Sequence, residues 1–479
     1  MNSNNTATKW ITGSVRVVLW LLFAVNLIYL LASYPRVTPW HYGSLLHLNG
    51  FTILIWTMVS FFSALISSYS KNYLKGFKYE ARFSVLCLSF TLSVMVFVLA
   101  NHLGLMLIAW LLSGVFMSQL IGIDRRWGEA RQASKLALKY FATGTAFLGA
   151  GILLLATYAE TTTLTGIIGQ VDQLPSPVVL IAALCIITAA IIQSSMYPFH
   201  RWLLSAMTAP TPSSALMHAG FVNGSGILLT LFAVVLFTSD TLIILFVIGG
   251  LTAVIAQFAK LLQVNVKQKL ACSTIAQMGF MIMQCGLGFF NAAVVHLVLH
   301  GFYKAYLFLS AGEEVGKSNP KANPYIRIKP LQAIVVLIFG LLGAWLFTFL
   351  TGKHIGLNSG LFLTLIVAIT VGQATYNIVK EKSLSYTQKL VLPTVLFIVG
   401  ISAYALMYNG MTLLMADVPM AVIHAPLTGV EIGFGIVFFI GFFIMKLGIY
   451  RKYPWLFVKL MNLTQPDPKT VVMYKSKTS

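Results

Sequence analysis

Three side chains in one apolar segment have types and spacing suited to moving protons. His296, His300 and Lys304 follow one another at intervals of four residues. In an α-helix this spacing places them on one face, as a stripe about 12 Å long. Imidazole takes up and releases protons near neutral pH, and the amine of lysine can carry a switchable charge. The pattern predicts a proton relay. The alternative is that the histidines only hydrogen-bond neighbouring helices while Lys304 extends to the membrane surface.

Prolines interrupt the apolar sequence near the middle of the chain. Pro198 follows Tyr197, and Pro210 and Pro212 precede His218. Proline breaks a helix, and open backbone at membrane depth is tolerated only where protein or cavity water satisfies it. A helix break at Pro198 can therefore mark a transport site, with His218 as a further relay member. Alternatively, Pro198 only ends one span and His218 is structural.

The elements that position these residues must cross a membrane. The chain has 479 residues, of which 58% are hydrophobic and only 9% charged, and its mean hydropathy is +0.84. A soluble domain carries about 25% charged residues because its surface faces water. This composition excludes a soluble enzyme, a disordered scaffold and a nucleic-acid-binding protein, although a pI near 9.8 taken alone could suggest the last.

The lengths of the apolar runs indicate helices. A hydrocarbon core about 30 Å thick requires roughly 20 helical residues, and about fourteen runs of this size occur. They fall near 10–33, 46–69, 83–100, 103–123, 136–158, 178–197, 213–237, 241–262, 269–288, 291–311, 330–350, 357–379, 390–409 and 430–448. We therefore expect an all-α polytopic protein in which residues 1–479 form a single membrane domain. The stretch 411–427 could add a short or re-entrant segment.

Positive charge alternates between successive loops. Lysine and arginine collect in one set of loops and in the basic tail 449–479, whereas the other set holds essentially Arg36 and Lys353. Because such residues accumulate in cytoplasmic loops, this predicts that both termini are cytoplasmic. The net charge of +20 is then mainly a topology signal. The alternative is a docking face for an acidic protein. The N-terminus lacks the pattern of a cleavable leader, so we expect the first span to be retained.

No residue pattern indicates catalysis or a cofactor in this chain. Cys87, Cys185, Cys272 and Cys285 lie in or at apolar runs, without C-x-x-C spacing or a histidine to complete a metal site. Phosphate-binding glycine motifs, H-E-x-x-H and the nucleophile elbow are also missing from the sequence. We expect a transport subunit that is not an enzyme and that binds no metal.

The sequence nevertheless resembles a known family. Residues 198–228 read PFHRWLLSAMTAPTPSSALMHAGFVNGSGIL. This run resembles the signature of the antiporter-like subunits of respiratory complex I and of Mrp-type sodium/proton antiporters. The resemblance extends over roughly 45–312, with further matches at 265–281 and 296–312 and looser ones at 69–74, 99–103 and 110–122. It implies inverted five-helix repeats, at about 103–237 and 241–379, each with a broken helix and a half-channel. It also implies that an ion pathway contains His218, Lys267, His296, His300 and Lys304.

Two departures from the family pattern affect the first half-channel. Leu111 follows Trp110 where the family has glutamate, and Gln193 replaces the lysine of the broken helix. A pathway through the second half, using the histidines and Lys304, remains the expectation. Beyond residue 330 the match fades, and the roles of Lys353, His424 and Glu431 stay open. The long lateral helix of the largest complex I subunit is not found, which weakens a respiratory assignment.

A divergent member of this size most resembles the DabB family, the membrane subunits of two-component bacterial inorganic-carbon pumps. That resemblance implies a multi-pass protein of the bacterial inner membrane that passes H⁺ or Na⁺. It also implies a soluble, zinc-containing, carbonic-anhydrase-like partner of the DabA type on the cytoplasmic face, in which CO₂ is hydrated to bicarbonate. Two alternatives stay open: an ion-translocating subunit of a respiratory, hydrogenase or Mrp-type assembly, and a membrane anchor that conducts nothing.

Overall fold

The computed structural model describes residues 2–311, 330–351, 360, 386–420, 428–446 and 453–471. This part of the chain is mostly helical, because a backbone inside a bilayer must satisfy its own hydrogen bonds. The helices are α1 (Asn2–Ser33), α2 (Gly50–Tyr73), α3 (Glu80–Leu99), α4 (Leu103–Ile121), α5 (Gly128–Tyr158), α6 (Leu164–Gln170), α7 (Ser176–Gln193), α8 (Arg201–Ser205), α9 (Thr211–Ala219), α10 (Gly224–Leu231), α11 (Ala233–Thr238), α12 (Leu242–Leu261), α13 (Val266–Gly286), α14 (Phe290–Leu309), α15 (Pro330–Thr351), α16 (Tyr386–Leu414), α17 (Gly429–Lys446) and α18 (Pro454–Leu463). The all-α membrane fold predicted from the sequence is confirmed.

Within the described ranges, ten helical segments are long and apolar enough to cross a membrane. The predicted spans at 269–288, 330–350 and 430–448 coincide with α13, α15 and α17, which are not among those ten. The predicted span at 357–379 lies outside the described residues, apart from residue 360. Of the stretch 411–427, the first residues complete α16 and turns follow to 420.

The predicted continuous span at 213–237 is divided into several pieces. Helix α9 ends at Ala219, a 3₁₀ turn occupies Phe221–Asn223, and α10 and α11 follow. The sequence at the interruption, from Gly220 to Gly226, contains three glycines and the polar residues Asn223 and Ser225, which weaken a continuous helix. Gly220, with φ −120° and ψ −67°, departs from helical geometry where α9 ends.

Helices α12 and α13 form a closely packed pair. A methyl group added at Gly279 would lie 2.7 Å from the main-chain nitrogen of Ala253 and 2.7 Å from the main-chain oxygen of Gly249. These contacts are with backbone, so they cannot be relieved by a change of rotamer. Glycine at this position lets the two helix backbones approach.

A short hairpin connects α1 to α2 outside the helices. Strands β1 (Trp40–Tyr42) and β2 (Leu46–Leu48) are antiparallel, and His41 pairs directly with His47. The hairpin leads into α2 through Asn49, whose side chain accepts from the amide of Thr52 at 2.9 Å. This N-cap fixes where α2 begins.

Candidate functional site

Helix α14 carries the histidine–lysine stripe into the protein interior. It packs against α2, α9, α10 and α13. His300 and Lys304 are buried, and His296 is half-buried. A methyl group at Gly301 would lie 2.5 Å from the Phe62 ring, so glycine beside His300 permits this close packing. The stripe therefore faces other helices and is held by their packing.

Lys304 is fully enclosed, with 0% of its side chain exposed. Its amine donates a hydrogen bond of 3.0 Å to the main-chain oxygen of Leu270 on α13. The ring centroid of Tyr303 lies 5.8 Å from the same nitrogen. Lys304 therefore does not extend to the membrane surface, so the alternative in which it does is wrong. Because burying an amine without a partner costs free energy, the hydrogen bond to the Leu270 oxygen stabilises Lys304 in the protein interior.

His218 on α9 is connected to this lysine through α13. Its Nδ1 lies 2.9 Å from the hydroxyl oxygen of Thr274, and that hydroxyl donates to the oxygen of Leu270 at 3.1 Å. Since the Thr274 proton is used on Leu270, the hydroxyl oxygen accepts from Nδ1–H of His218. The Leu270 oxygen therefore accepts from both Thr274 and Lys304. The His218 ring also stacks on Phe308, with centroids 4.4 Å apart.

Two histidines have ring nitrogens without a hydrogen-bond partner among the described residues. Neither ring nitrogen of His300, nor Nε2 of His218, has a hydrogen-bond partner among the described residues. The rings of His296 and His300 have centroids 6.2 Å apart, and His296 lies 5.3 Å from the Phe280 ring. Buried polar atoms of this kind are normally satisfied by water where protein gives no partner.

Lys267 lies at the start of α13 and contacts the segment between α8 and α9. Its amine donates to the main-chain oxygen of Ala209 at 2.8 Å. The Asn265 side chain caps α13 by accepting from the Lys267 amide at 2.9 Å. Ala209 directly precedes Pro210, so Lys267 ties α13 to the segment that leads into α9.

The helix break is located between Gln193, where α7 ends, and Arg201, where α8 begins. Ser195 has φ +59°, and its hydroxyl donates to the main-chain oxygen of His200 at 3.0 Å. The Trp202 indole donates to the oxygen of Ile192 at 2.9 Å, across the break. Pro198 lies within this stretch. Two side chains therefore make hydrogen bonds to main-chain oxygens where the helix is interrupted.

A line of serines on α2 was missed by the sequence analysis. Ser60, Ser63, Ser67 and Ser70 recur at intervals of three and four residues and are all buried. The hydroxyl of Ser67, like that of Ser213 on α9, has no partner in the part of the chain that the structure describes. Helix α2 packs against both α9 and α14. The heptad-like spacing of these serines within an apolar run was the available signal.

Comparison with known proteins places this geometry in a family. The protein-family model described as "NADH:quinone oxidoreductase/Mrp antiporter, TM" matches residues 100–343, which include α9, α13, α14 and the helix break. That is half of the chain. The chain belongs to this family.

Curated relatives of the chain include proteins named as probable inorganic-carbon transporter subunits. A "Probable inorganic carbon transporter subunit DabB" of Bacillus anthracis is 35% identical over 331 residues, covering 68% of this chain and 64% of the relative. A DabB2 subunit of Halothiobacillus neapolitanus is 31% identical over 430 residues, covering 88% of this chain and 72% of the relative. The match thus spans less than two thirds of the Bacillus protein.

A solved structure shares the fold. A chain of the Mrp complex from Dietzia sp. superposes with a TM-score of 0.68 at 20% identity, covering 98% of this chain and 56% of that one. The similarity confirms the antiporter-like fold expected from the sequence.

In this antiporter family member, the two positions that depart from the family pattern, Leu111 and Gln193, hold neutral side chains. Gln193 is buried and donates to the Phe221 oxygen at 3.2 Å. Gln193 and Trp110 border a cavity of about 20 Å³, which is room for one water molecule. Leu111 points elsewhere, with 38% of its side chain exposed. Neither leucine nor glutamine can titrate.

The remaining candidate residues give little support for a second site. Glu431 accepts from the amide and hydroxyl of Thr428, at 2.7 and 2.9 Å, which is an N-cap arrangement at the start of α17. Lys353 and His424 lie outside the described residues. Among the described residues, no three His, Cys, Asp or Glu side chains are grouped so that they could hold a metal ion.

Proposed function

We propose that the chain is the cation-translocating membrane subunit of an energy-coupled inorganic-carbon accumulation complex. The observation that carries the proposal is the connection from His218 through Thr274 and the Leu270 oxygen to Lys304. This connection joins α9 to the histidine–lysine stripe through groups that can exchange or attract protons. The DabB names of the relatives supply the substrate class.

The proposed pathway uses His296, His300, Lys304, His218 and Lys267. His296 and His300 pass a cation or proton along α14 toward Lys304. Positive charges on neighbouring members repel one another strongly in a low-dielectric interior, so the pathway holds few charges at a time. Lys267 lies at the lysine-rich end of α13 and forms the exit. Waters beside the unpartnered histidine nitrogens would complete the connections.

The coupling requires a second protein. We propose a soluble, zinc-containing, carbonic-anhydrase-like subunit on the cytoplasmic face of a bacterial inner membrane, with both termini of this chain on that side. The partner holds the zinc and hydrates CO₂. This chain supplies the energy by letting the cation move down its gradient. A cation moving down the membrane voltage releases about 2.3 kcal/mol per charge per 100 mV. That energy can favour hydration over its reversal.

The test is accumulation of labelled inorganic carbon in cells that lack their own carbonic anhydrase and co-express this chain with such a partner. We expect accumulation above the external concentration, and we expect it to collapse when an ionophore dissipates the cation gradient. Separate proton and sodium ionophores identify the cation. Accumulation that survives the loss of both gradients would contradict the proposal.

A second candidate is an ion-translocating subunit of an Mrp-type or respiratory assembly, which the fold shared with the Mrp complex favours. Affinity purification from the native membrane separates the two. A zinc protein of carbonic-anhydrase type supports the carbon pump, and further antiporter, quinone or iron–sulfur subunits support the alternative. The neutral Leu111 and Gln193 leave the third candidate, a non-conducting anchor, which predicts no cation flux in proteoliposomes.

A further inference from the structure

Helix α18 presents an apolar surface over its first half. Trp455 is 66% exposed and Val458 is 55% exposed, and Phe457 and Tyr453 are also exposed. On the opposite side, Leu460 is buried against the protein. One turn beyond Val458 on the same face lies Asn462. The exposed face therefore changes from apolar to polar along the helix.

The position of α18 brings this surface close to the membrane boundary. The helix packs against α12, which crosses the membrane and has Lys260 in its last turn. Aromatic side chains such as Trp455 and Tyr453 favour the headgroup level, because one part of each ring system is apolar and another is polar. Lys459 is exposed on the same helix and can meet anionic lipid phosphates.

The end of α18 and the residues that follow it are hydrogen-bonded to the helix break and to α8. The main-chain oxygen of Leu463 lies 2.8 Å from Nε2 of His200. The Ser205 hydroxyl accepts from the amide of Asp467 and from the hydroxyl of Thr470, both at 3.0 Å. This end of the segment is thus held by protein, while the apolar first half of α18 is left uncovered.

We infer that α18 is an interfacial helix that binds an anionic lipid surface. Its first two turns lie among the headgroups and upper acyl chains through Trp455 and Val458, and Lys459 contacts the lipid phosphates. The helix rises toward water at Asn462, where the bonds to His200 and Ser205 begin. The bilayer is the occupant because α18 packs against a membrane-crossing helix and carries lysine beside its apolar face.

Nitroxide labels on the full-length chain in lipid nanodiscs test the inference. Cys185 is the half-buried natural cysteine and is replaced in a Cys185→Ala background, since Cys87, Cys272 and Cys285 are buried. Single labels are introduced by Val458→Cys and by its matched control Asn462→Cys, one turn away on the same face. Power saturation with oxygen, which concentrates in lipid, and with a water-soluble nickel chelate reports the surroundings of each label.

We expect the oxygen-to-nickel accessibility ratio to be about fivefold higher at position 458 than at 462, as for a helix buried about 5–10 Å into the interface. Equal ratios with ready access to nickel at both positions would overturn the inference, since α18 would lie in water. Protection of position 458 from both reagents would also overturn it, because another protein surface would cover the helix.

The anionic component is tested by comparing phosphatidylcholine nanodiscs with and without phosphatidylglycerol. We expect phosphatidylglycerol to raise the ratio at position 458 about twofold, and Lys459→Gln to remove that increase. A ratio unaffected by lipid charge would overturn the assignment to an anionic surface.

Discussion

Lys304 on α14 and Thr274 on α13 donate hydrogen bonds to the same acceptor, the main-chain oxygen of Leu270, at 3.0 and 3.1 Å. The hydroxyl oxygen of Thr274 also accepts a hydrogen bond from Nδ1–H of His218 on α9. One carbonyl group therefore connects three helices and two titratable side chains. A change in the charge or position of Lys304 therefore affects the hydrogen bonds of Thr274 and His218 through this oxygen.

Replacing Lys304 tests whether its charge is needed for transport. Glutamine is chosen because it keeps a long side chain with a hydrogen-bond donor. We expect Lys304→Gln to reduce the flux of the cation into proteoliposomes at least about tenfold, because a neutral amide cannot carry a charge. The protein should still fold, since glutamine can donate to the Leu270 oxygen.

The matched control is Lys269→Gln on α13, where the lysine is exposed. We expect nearly normal flux from this variant. Normal flux through correctly folded Lys304→Gln would remove Lys304 from the pathway.

Thr274 can be changed with little change in volume. Thr274→Val removes the hydroxyl that joins His218 to Leu270 and leaves a buried Nδ1–H without an acceptor, at a cost of about 1–3 kcal/mol. We expect a lower unfolding temperature and several-fold slower flux, and Thr274→Ser should restore much of both.

Thr230→Val is the control, because the buried Thr230 hydroxyl donates only within its own helix, to the Gly226 oxygen at 2.7 Å. Thr274→Val and Thr230→Val with equal effects on flux would show that the hydroxyl of Thr274 has no special role.

The sequence predicted the helices better than it predicted their interior connections. Spacing alone placed His296, His300 and Lys304 on one helix, because helical periodicity depends only on local geometry. It could not identify the Leu270 oxygen as an acceptor, since every residue has such an oxygen and only tertiary packing selects one.

The interruptions after Ala219 show a second limit of sequence reasoning. Residues 213–237 were predicted as one span from their overall hydropathy, which does not respond to backbone geometry, although Gly220, Asn223 and residues 224–226 interrupt the apolar residues there. The exposed position of Leu111 was equally hidden, because its side chain direction depends on how α4 packs. Family resemblance identified the missing charges at Leu111 and Gln193, but only the coordinates separate the outward leucine from the buried glutamine.

Gly279 provides a test of the packing between α12 and α13. Alanine normally favours a helix over glycine by about 1 kcal/mol. At this position its methyl group would press on the main chain of α12 at 2.7 Å, so we expect Gly279→Ala to destabilise the protein by about 1–3 kcal/mol instead. Thermal unfolding in detergent measures the effect.

Gly400→Ala on α16 is the matched control, because nothing lies within 4 Å of the added methyl group. It should leave the unfolding temperature unchanged or raise it slightly. A Gly279→Ala protein as stable as the control would contradict the close approach of the two helices.

The hairpin outside the helices should respond to pH through His47. Burial of its imidazole lowers the pKa of His47 below the ordinary value of 6.5, and the stacked ring of His41 lowers the pKa further, with Asp417 acting in the opposite direction. The folded hairpin binds this proton less readily than the unfolded chain, so the hairpin has its full stability above about pH 6.5. Its stability falls as the pH is lowered from 6.5 through the lowered pKa of His47. Hydrogen exchange of the 40–48 amides between pH 8 and pH 5 should show faster exchange, corrected for intrinsic rate, at the acidic end.

His47→Gln should abolish this acid-dependent loosening, because glutamine does not titrate. His41→Gln should only weaken it, since burial is the larger cause of the shift and remains when the neighbouring imidazole is removed. The two rings are stacked 4.3 Å apart, so adding a proton to each would place two positive charges side by side. An unchanged pH response in His47→Gln would assign the effect to another group.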